Sequence, residues 1–297
     1  MSSDYVDASG EAGEGNDQPD ARGEPRRDLH RPAPPLMTES DFVSDKYNME
    51  HAERGMALII NNRTFHPKTG MGERTGTDVD AQKMNELLTT LGFVKIRPLD
   101  DVSVQEIKNA LYQAAKEDHT DRDCFVCVIL SHGEEGYVYG TDDKVPIDEL
   151  VLPFKGHNCP SLAGKPKLFF IQACRGQELD RGTTVTDAGG GGEEMEEEVI
   201  VRRIPSEADF LMAYSVVPGY FAWRNSARGS WFIQAIFDVF MKYWKSLDLL
   251  TMMTRVNKKV AYDFESNASA EYMRRKKQIP CITSMLTKDV FFMQNKQ

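Results

Sequence analysis

From about residue 50 onward, the apolar positions of the chain alternate between two rhythms. Met56-Ala57-Leu58-Ile59-Ile60 is a nearly unbroken apolar run of strand length, the pattern of a strand covered on both faces. Helical spacing follows. Val79, Met84, Leu87, Leu88 and Leu91 fall on one face, Thr77 and Asp78 stand where a cap belongs, and Gly92 stands where a helix ends. Residues 93–96 read as the next strand, and Ser103 with Glu106 three positions later is a capping box opening a helix to about Lys116. Strands follow at 124–130, 167–172 and 208–216, helices at 231–244 and 249–264, and strands again at 281–286 and 290–293. Strand-helix-strand repetition predicts an α/β fold: a mostly parallel central sheet of about six strands with helices on both faces.

Two segments break the rhythm. Residues 1–48 are rich in Gly, Asp, Glu, Pro and Arg, with too little apolar surface to offset the entropy of ordering, so a disordered leader is expected there. Residues 177–204 hold Thr183-Thr184-Val185-Thr186-Asp187-Ala188, then Gly189 to Gly192, then a run of glutamates from Glu193 to Glu198 broken only by Met195. A loop this long inside a domain is a tolerated insertion or a functional linker, and its glycines and like charges keep it extended and open to proteases. The net charge of −10 over 297 residues argues against nucleic-acid and anionic-membrane partners, both of which call for a basic surface. Five thinly spread cysteines and the lack of an apolar signal segment point to reduced thiols in the cytoplasm.

In open α/β sheets, reactive groups gather beyond the carboxyl ends of the strands. The strand at 124–130 runs into Ser131-His132-Gly133, and the strand at 167–172 into Ala173-Cys174-Arg175-Gly176. Neighbouring parallel strands would bring His132 and Cys174 to one edge, although 42 positions separate them. Taken singly, one reads as a loop histidine and the other as a small buried hydrophobe. Together they are the minimum for nucleophilic acyl transfer, with the thiolate attacking and the imidazole passing protons. Gly133 can bring its N–H close to a reacting carbonyl oxygen. Cys124 and Cys127 form a CxxC within an apolar strand with no second pair, which argues against a zinc or redox role; no metal site is expected.

Gln172-Ala173-Cys174-Arg175-Gly176 resembles the active-site pentapeptide of the caspases. Arg74-Thr75-Gly76-Thr77-Asp78, Ser131-His132-Gly133-Glu134-Glu135, Trp223-Arg224-Asn225 and Lys276-Lys277-Gln278-Ile279-Pro280-Cys281 resemble the same family, over about residues 45–293. The short leader matches the executioner branch. The resemblance implies a caspase-like fold and cleavage after aspartate, with an Asp-Glu-Val-Asp-like preference, in apoptosis. It assigns Cys174 as nucleophile, His132 as proton carrier held by the Gly72 carbonyl, and the N–H groups of Gly133 and Cys174 as the oxyanion site. Arg74, Gln172 and Arg224 would form the primary pocket, which is sensible chemistry because guanidinium forks bind carboxylates. Phe221 and Trp223 would wall a second subsite, and Asn225 and Trp231 a fourth. The loop 265–275 departs from the family, with Tyr272 as the candidate aromatic.

Family logic further implies a zymogen cut at Asp187, with Asp180 as rival site and Asp7 as a leader site. The chain would then divide into a leader (1–48), a large subunit (49–187), a linker (177–204) and a small subunit (188–297). No cofactor is implied. Implied partners are protein substrates bearing aspartate, an initiator caspase, inhibitor-of-apoptosis proteins, and a second copy paired through the strand near Cys281. Residence is expected in the cytoplasm, with the nucleus reached after activation. Three alternatives stay open. They are a silent scaffold of the same fold, a relative with basic primary specificity (against which Arg74 and Arg224 speak), and a flavodoxin-like module, for which Asn61 to Phe65 offers no phosphate-binding glycines.

Overall fold

The computed structural model describes residues 43–176, 206–267 and 270–293. The linker, most of the leader, and Asp7, Asp180 and Asp187 lie outside those residues. The chain runs through β1 (Glu53–Asn61), α1 (Thr77–Thr90), β2 (Lys95–Asp100), α2 (Val104–Lys116) and β3 (Arg122–Leu130). Three short strands follow, β4 (Gly133–Glu134), β5 (Tyr137–Tyr139) and β6 (Lys144–Pro146), then α3 (Ile147–Val151) and β7 (Lys167–Gln172). Beyond the linker come β8 (Phe210–Tyr214), the hairpin β9 (Arg224–Asn225) and β10 (Gly229–Ser230), α4 (Trp231–Tyr243), α5 (Leu249–Asp263) and β11 (Cys281–Ser284).

The main sheet has six strands in the order β11-β8-β7-β3-β1-β2. All neighbours are parallel except β11, which runs antiparallel along β8 at one edge. Strand alternation sends side chains to two separate cores. Ala57, Ile59, Val126, Val128, Leu168 and Phe170 meet Met84 and Leu87 of α1, Phe232 and Ile236 of α4, and Met252 and Val256 of α5. On the other face Leu58, Ile60, Phe125, Ile129, Phe169 and Ile171 meet Ile107 and Leu111 of α2 and Leu150 of α3. Cys124 joins the first core and Cys127 the second, so the CxxC thiols point to opposite faces of β3 and cannot share a site. Among the described residues no helix is long and apolar enough to cross a membrane.

The capping box at Ser103 forms as expected, with Glu106 N–H donating to the hydroxyl and the Glu106 carboxylate accepting from Ser103 N–H at 2.8 Å. Other expectations need correction. Residues 290–293 are not a strand: Val290 and Phe292 are buried as core plugs, and the Val290 carbonyl accepts the first N–H of α5 at 2.9 Å. β2 begins at Lys95 because Phe93 turns into the core and donates its N–H to Leu88 at the end of α1. Thr77 does not cap α1, whose N-cap is Gly76; the Thr77 hydroxyl is turned inward. Packing also starts ahead of residue 49, since Tyr47 is buried and donates its hydroxyl to Asp209 at 2.7 Å.

Candidate active site

Register places the thiol and the imidazole. Leu130 of β3 lies opposite Gln172 of β7, and Ser131 N–H continues the ladder by donating to the Gln172 carbonyl at 3.2 Å. His132 and Cys174 each stand two residues beyond that row, side by side at the carboxyl edge of the sheet. They line one cavity. Gly133 fits against the neighbouring strand end so closely that a Cβ there would lie 2.8 Å from the Ala173 side chain and 2.9 Å from the Cys174 carbonyl oxygen. Any other residue would push the two strand ends apart. Ser215, fully buried, braces the same turn by donating its hydroxyl to the Ala173 carbonyl at 2.9 Å.

The His132 ring is fixed by an Nε2–H bond donated to the Gly72 carbonyl at 2.8 Å and by the Phe65 ring, 4.8 Å away between centroids. Burial above all, with the guanidinium groups of Arg74 and Arg224 adding to it and the Gly72 bond opposing, brings the imidazole pKa down to about 4.

Arg74, only 1% exposed, enters the cavity from the corner between β1 and α1. One of its terminal nitrogens, Nη1, donates to the Asn62 carbonyl at 2.9 Å and to the Thr77 hydroxyl at 2.7 Å. Its Nε and Nη2, like Oε1 of the buried Gln172, have no partner within the protein. Unpaired guanidinium donors at this depth are costly unless an acceptor arrives, so the cavity is built to receive an anion. Arg224 enters from β9, with Nε donating to the Thr75 carbonyl at 2.9 Å. Burial and the charge of Arg224 both lower the Arg74 pKa, which marks two like charges facing one space.

Phe221 and Trp223 line the apolar side of the cavity. Asn225 and Trp231 do not join that lining. Asn225 is exposed, and its Oδ1 accepts the N–H groups of Ala227 and Arg228 in the hairpin turn. Trp231 is sandwiched between Trp223, at 5.7 Å, and Phe264, at 5.4 Å. Tyr272 is 71% exposed, and its neighbour Met273 lines the cavity instead. Two functional residues were therefore missed. Met273 carries no periodic or charge signal in its segment. Gln278 stands in a quoted motif without a role, yet it is buried and bridges the site, accepting Trp223 N–H at 2.7 Å and donating to the Ser215 carbonyl at 2.6 Å.

Comparison with known proteins gives a consistent result. The peptidase C14 family model described as Caspase domain matches residues 54–291. Caspase-3 of Oryctolagus cuniculus is 46% identical over 86% of this chain and 90% of its own length. Caspase-7 of Gallus gallus is 48% identical over 83% and 80%. Among solved structures, caspase-1 from Spodoptera frugiperda superposes with a TM-score of 0.77 at 43% identity, covering 91% of this chain and 98% of its own. The fold, the cavity that joins a cysteine, a histidine and two arginines, and relatives aligned along most of its length agree: the chain belongs to the caspase family of aspartate-specific cysteine endopeptidases, in the branch that resembles the apoptotic caspases three and seven.

Proposed function

We propose that Cys174 is the nucleophile and His132 the proton carrier of an executioner protease that cuts after aspartate within Asp-Glu-Val-Asp-like sequences. The observation that carries this reading is the cavity itself, where the thiol edge of the sheet meets the unpaired Nε and Nη2 of a buried Arg74. The substrate carboxylate would take those donors, together with Arg224 and the Gln172 amide. An asparagine there offers one acceptor oxygen and leaves a buried cation uncompensated, so it is selected against.

In the reaction, Cys174 Sγ attacks the backbone carbonyl carbon of the aspartate itself, and the thiol proton passes to the free ring nitrogen of His132, the one not donating to Gly72. The backbone N–H groups of Gly133 and Cys174 hold the oxyanion. A histidine whose pKa is held near 4 is a strong acid once protonated, and it gives that proton to the departing amine. Water then hydrolyses the thioester with the same imidazole as base, restoring the thiol. Phe221, Trp223 and Met273 wall the second subsite. Asn225 contributes polar contact at the fourth, where Trp231 acts through its stack on Trp223.

The precursor would be cut after Asp187, with Asp180 as the rival, by an initiator caspase, and Asp7 would release the leader. A pair of large and small subunits would join a second copy along β11, extending the sheet across a two-fold axis and covering its edge. Inhibitor-of-apoptosis proteins would act on the open cleft, and the enzyme would work in the cytoplasm, entering the nucleus after activation.

The test is hydrolysis of Asp-Glu-Val-Asp linked to a fluorophore, beside the same peptide ending in Asn, before and after linker cleavage. Strong Asp-dependent turnover is expected after cleavage, and Cys174→Ala should abolish it while circular dichroism stays unchanged. Turnover retained by that variant refutes the assignment.

A further inference from the structure

Asp80 is a fully buried carboxylate that takes no part in the chemistry above. It lies in the first turn of α1, and both its oxygens reach the other half of the chain. Oδ1 accepts the backbone N–H of Ser230 at 2.7 Å, and Oδ2 accepts the Ser230 hydroxyl at 2.5 Å. Ser230 is the residue from which α4 begins, so its hydroxyl is directed to Asp80 instead of capping its own helix. The fit leaves no slack. A Cβ on Gly229, whose φ is +88°, would lie 2.2 Å from Asp80 Oδ1.

Ser230 is also the residue paired with Arg224 in the β9–β10 hairpin. A grip on Ser230 is therefore a grip on the strand partner of one pocket arginine. On its own side, Asp80 shares the N-terminal end of α1 with Thr77, which anchors the other pocket arginine, Arg74. Two weaker ties run between the same pieces: Arg224 Nε to the Thr75 carbonyl and Lys83 Nζ to the Arg228 carbonyl, at 3.1 Å. Burial pushes the Asp80 carboxyl up from its ordinary range, while the two Ser230 donors and the charges of Arg74 and Arg224 favour its ionised form, and that form in turn favours the charged state of both guanidinium groups.

We infer that Asp80 is a positioning residue for the primary pocket, which holds Arg224 in register with Arg74 through Ser230. The inference rests on the reading of Arg74 and Arg224 as the carboxylate-binding pair. A carboxylate that served only to cap α4 would affect how much enzyme is folded and not how well each folded molecule binds aspartate.

The full chain, cleaved in its linker, is titrated with an aspartyl fluoromethyl ketone to count competent Cys174 thiols. KM and kcat per titrated site are then measured on the Asp-Glu-Val-Asp reporter. Asp80→Asn should raise KM about tenfold or more with kcat per site within about threefold, the signature of lost uniform binding. Ser230→Ala keeps the backbone N–H and should raise KM about threefold, which provides a second reading should Asp80→Asn fold poorly. A fall in titrated sites or melting temperature with per-site KM unchanged in both variants overturns the inference. Arg224→Ala separates the two layers. Unchanged KM in Arg224→Ala refutes the pocket reading itself, whereas lost binding there beside unchanged KM in Asp80→Asn refutes only the role of Asp80.

Discussion

His132 stands between a carbonyl that favours its charged form and an environment that opposes it. Burial dominates, Arg74 and Arg224 add to it, and the Gly72 bond only partly compensates, leaving the pKa at about 4. The ring is thus neutral at physiological pH and ready to accept the thiol proton. An NMR titration of the labelled ring should give a midpoint near 4 that moves upward in Arg224→Ala, where one opposing cation is gone; a midpoint near the ordinary 6.5 in the unmodified enzyme contradicts this. The same shift affects stability. Between the folded pKa and the unfolded value of 6.5 the unfolded chain binds more protons, so stability is lost as pH falls through that window. His119, fully buried and also lowered by burial, acts with the same sign, and its replacement by Gln should flatten the fall in melting temperature as pH drops below about 6.5. At this scale the sequence is legible where a side chain ends an apolar strand. Cys174 and His132 announce themselves that way. Asp80 and Gln278 do not, because each acts through partners tens of residues away, and Met273 lines the cavity from a segment with no periodic pattern.

The elements that position the site are mostly those whose signals are local. The capping box of α2 spans four residues and could be read directly, as could the apolar runs of β1, β3 and β7. Strands of two or three residues, such as β4 and β9, are too short to show a period of two. The apolar run at 290–293 misleads because buried tails and strands share one composition, and only the first turn of α5 decides between them. The hairpin side of the cleft depends on Gln278, which links Trp223, just ahead of the hairpin, to Ser215, just past β8. Gln278→Ala would strand a buried carbonyl on Ser215, at about 1–3 kcal/mol for an unsatisfied buried group, and leave the half-buried N–H of Trp223 without its partner. A melting temperature several degrees lower is expected, with a raised KM for peptides carrying Val at the second position. A variant as stable and as tightly binding as the parent would remove Gln278 from the site.

At the scale of the molecule, the alternation of strands and helices dictates a parallel sheet, while strand order and the reversal of β11 depend on pairings that no window of sequence contains. β1 sends the chain outward to β2 before β3 returns on its other side, and such a switch point opens the crevice where ligands bind in doubly wound sheets. The linker joins β7 to β8, and its proposed cut is tested by mass spectrometry of matured protein. Fragments ending at Asp187 and starting at Ala188 are expected, and Asp187→Ala should leave the precursor whole; a boundary elsewhere rejects the site. β7 and β8 are adjacent parallel strands in mid-sheet, both cores run beneath them, and Lys167 pairs with Phe210 at their start. Scission therefore changes the molecularity of unfolding without removing a ladder bond. The intact chain keeps β7 and β8 tethered when it unfolds, whereas a chain cut at the proposed site would lose one of two interleaved pieces and have to find it again by diffusion. Dilution would therefore slow the reassembly of a chain cut there without affecting the pairing of β7 with β8 in an intact one, so the proposed cut would also make unfolding much harder to reverse.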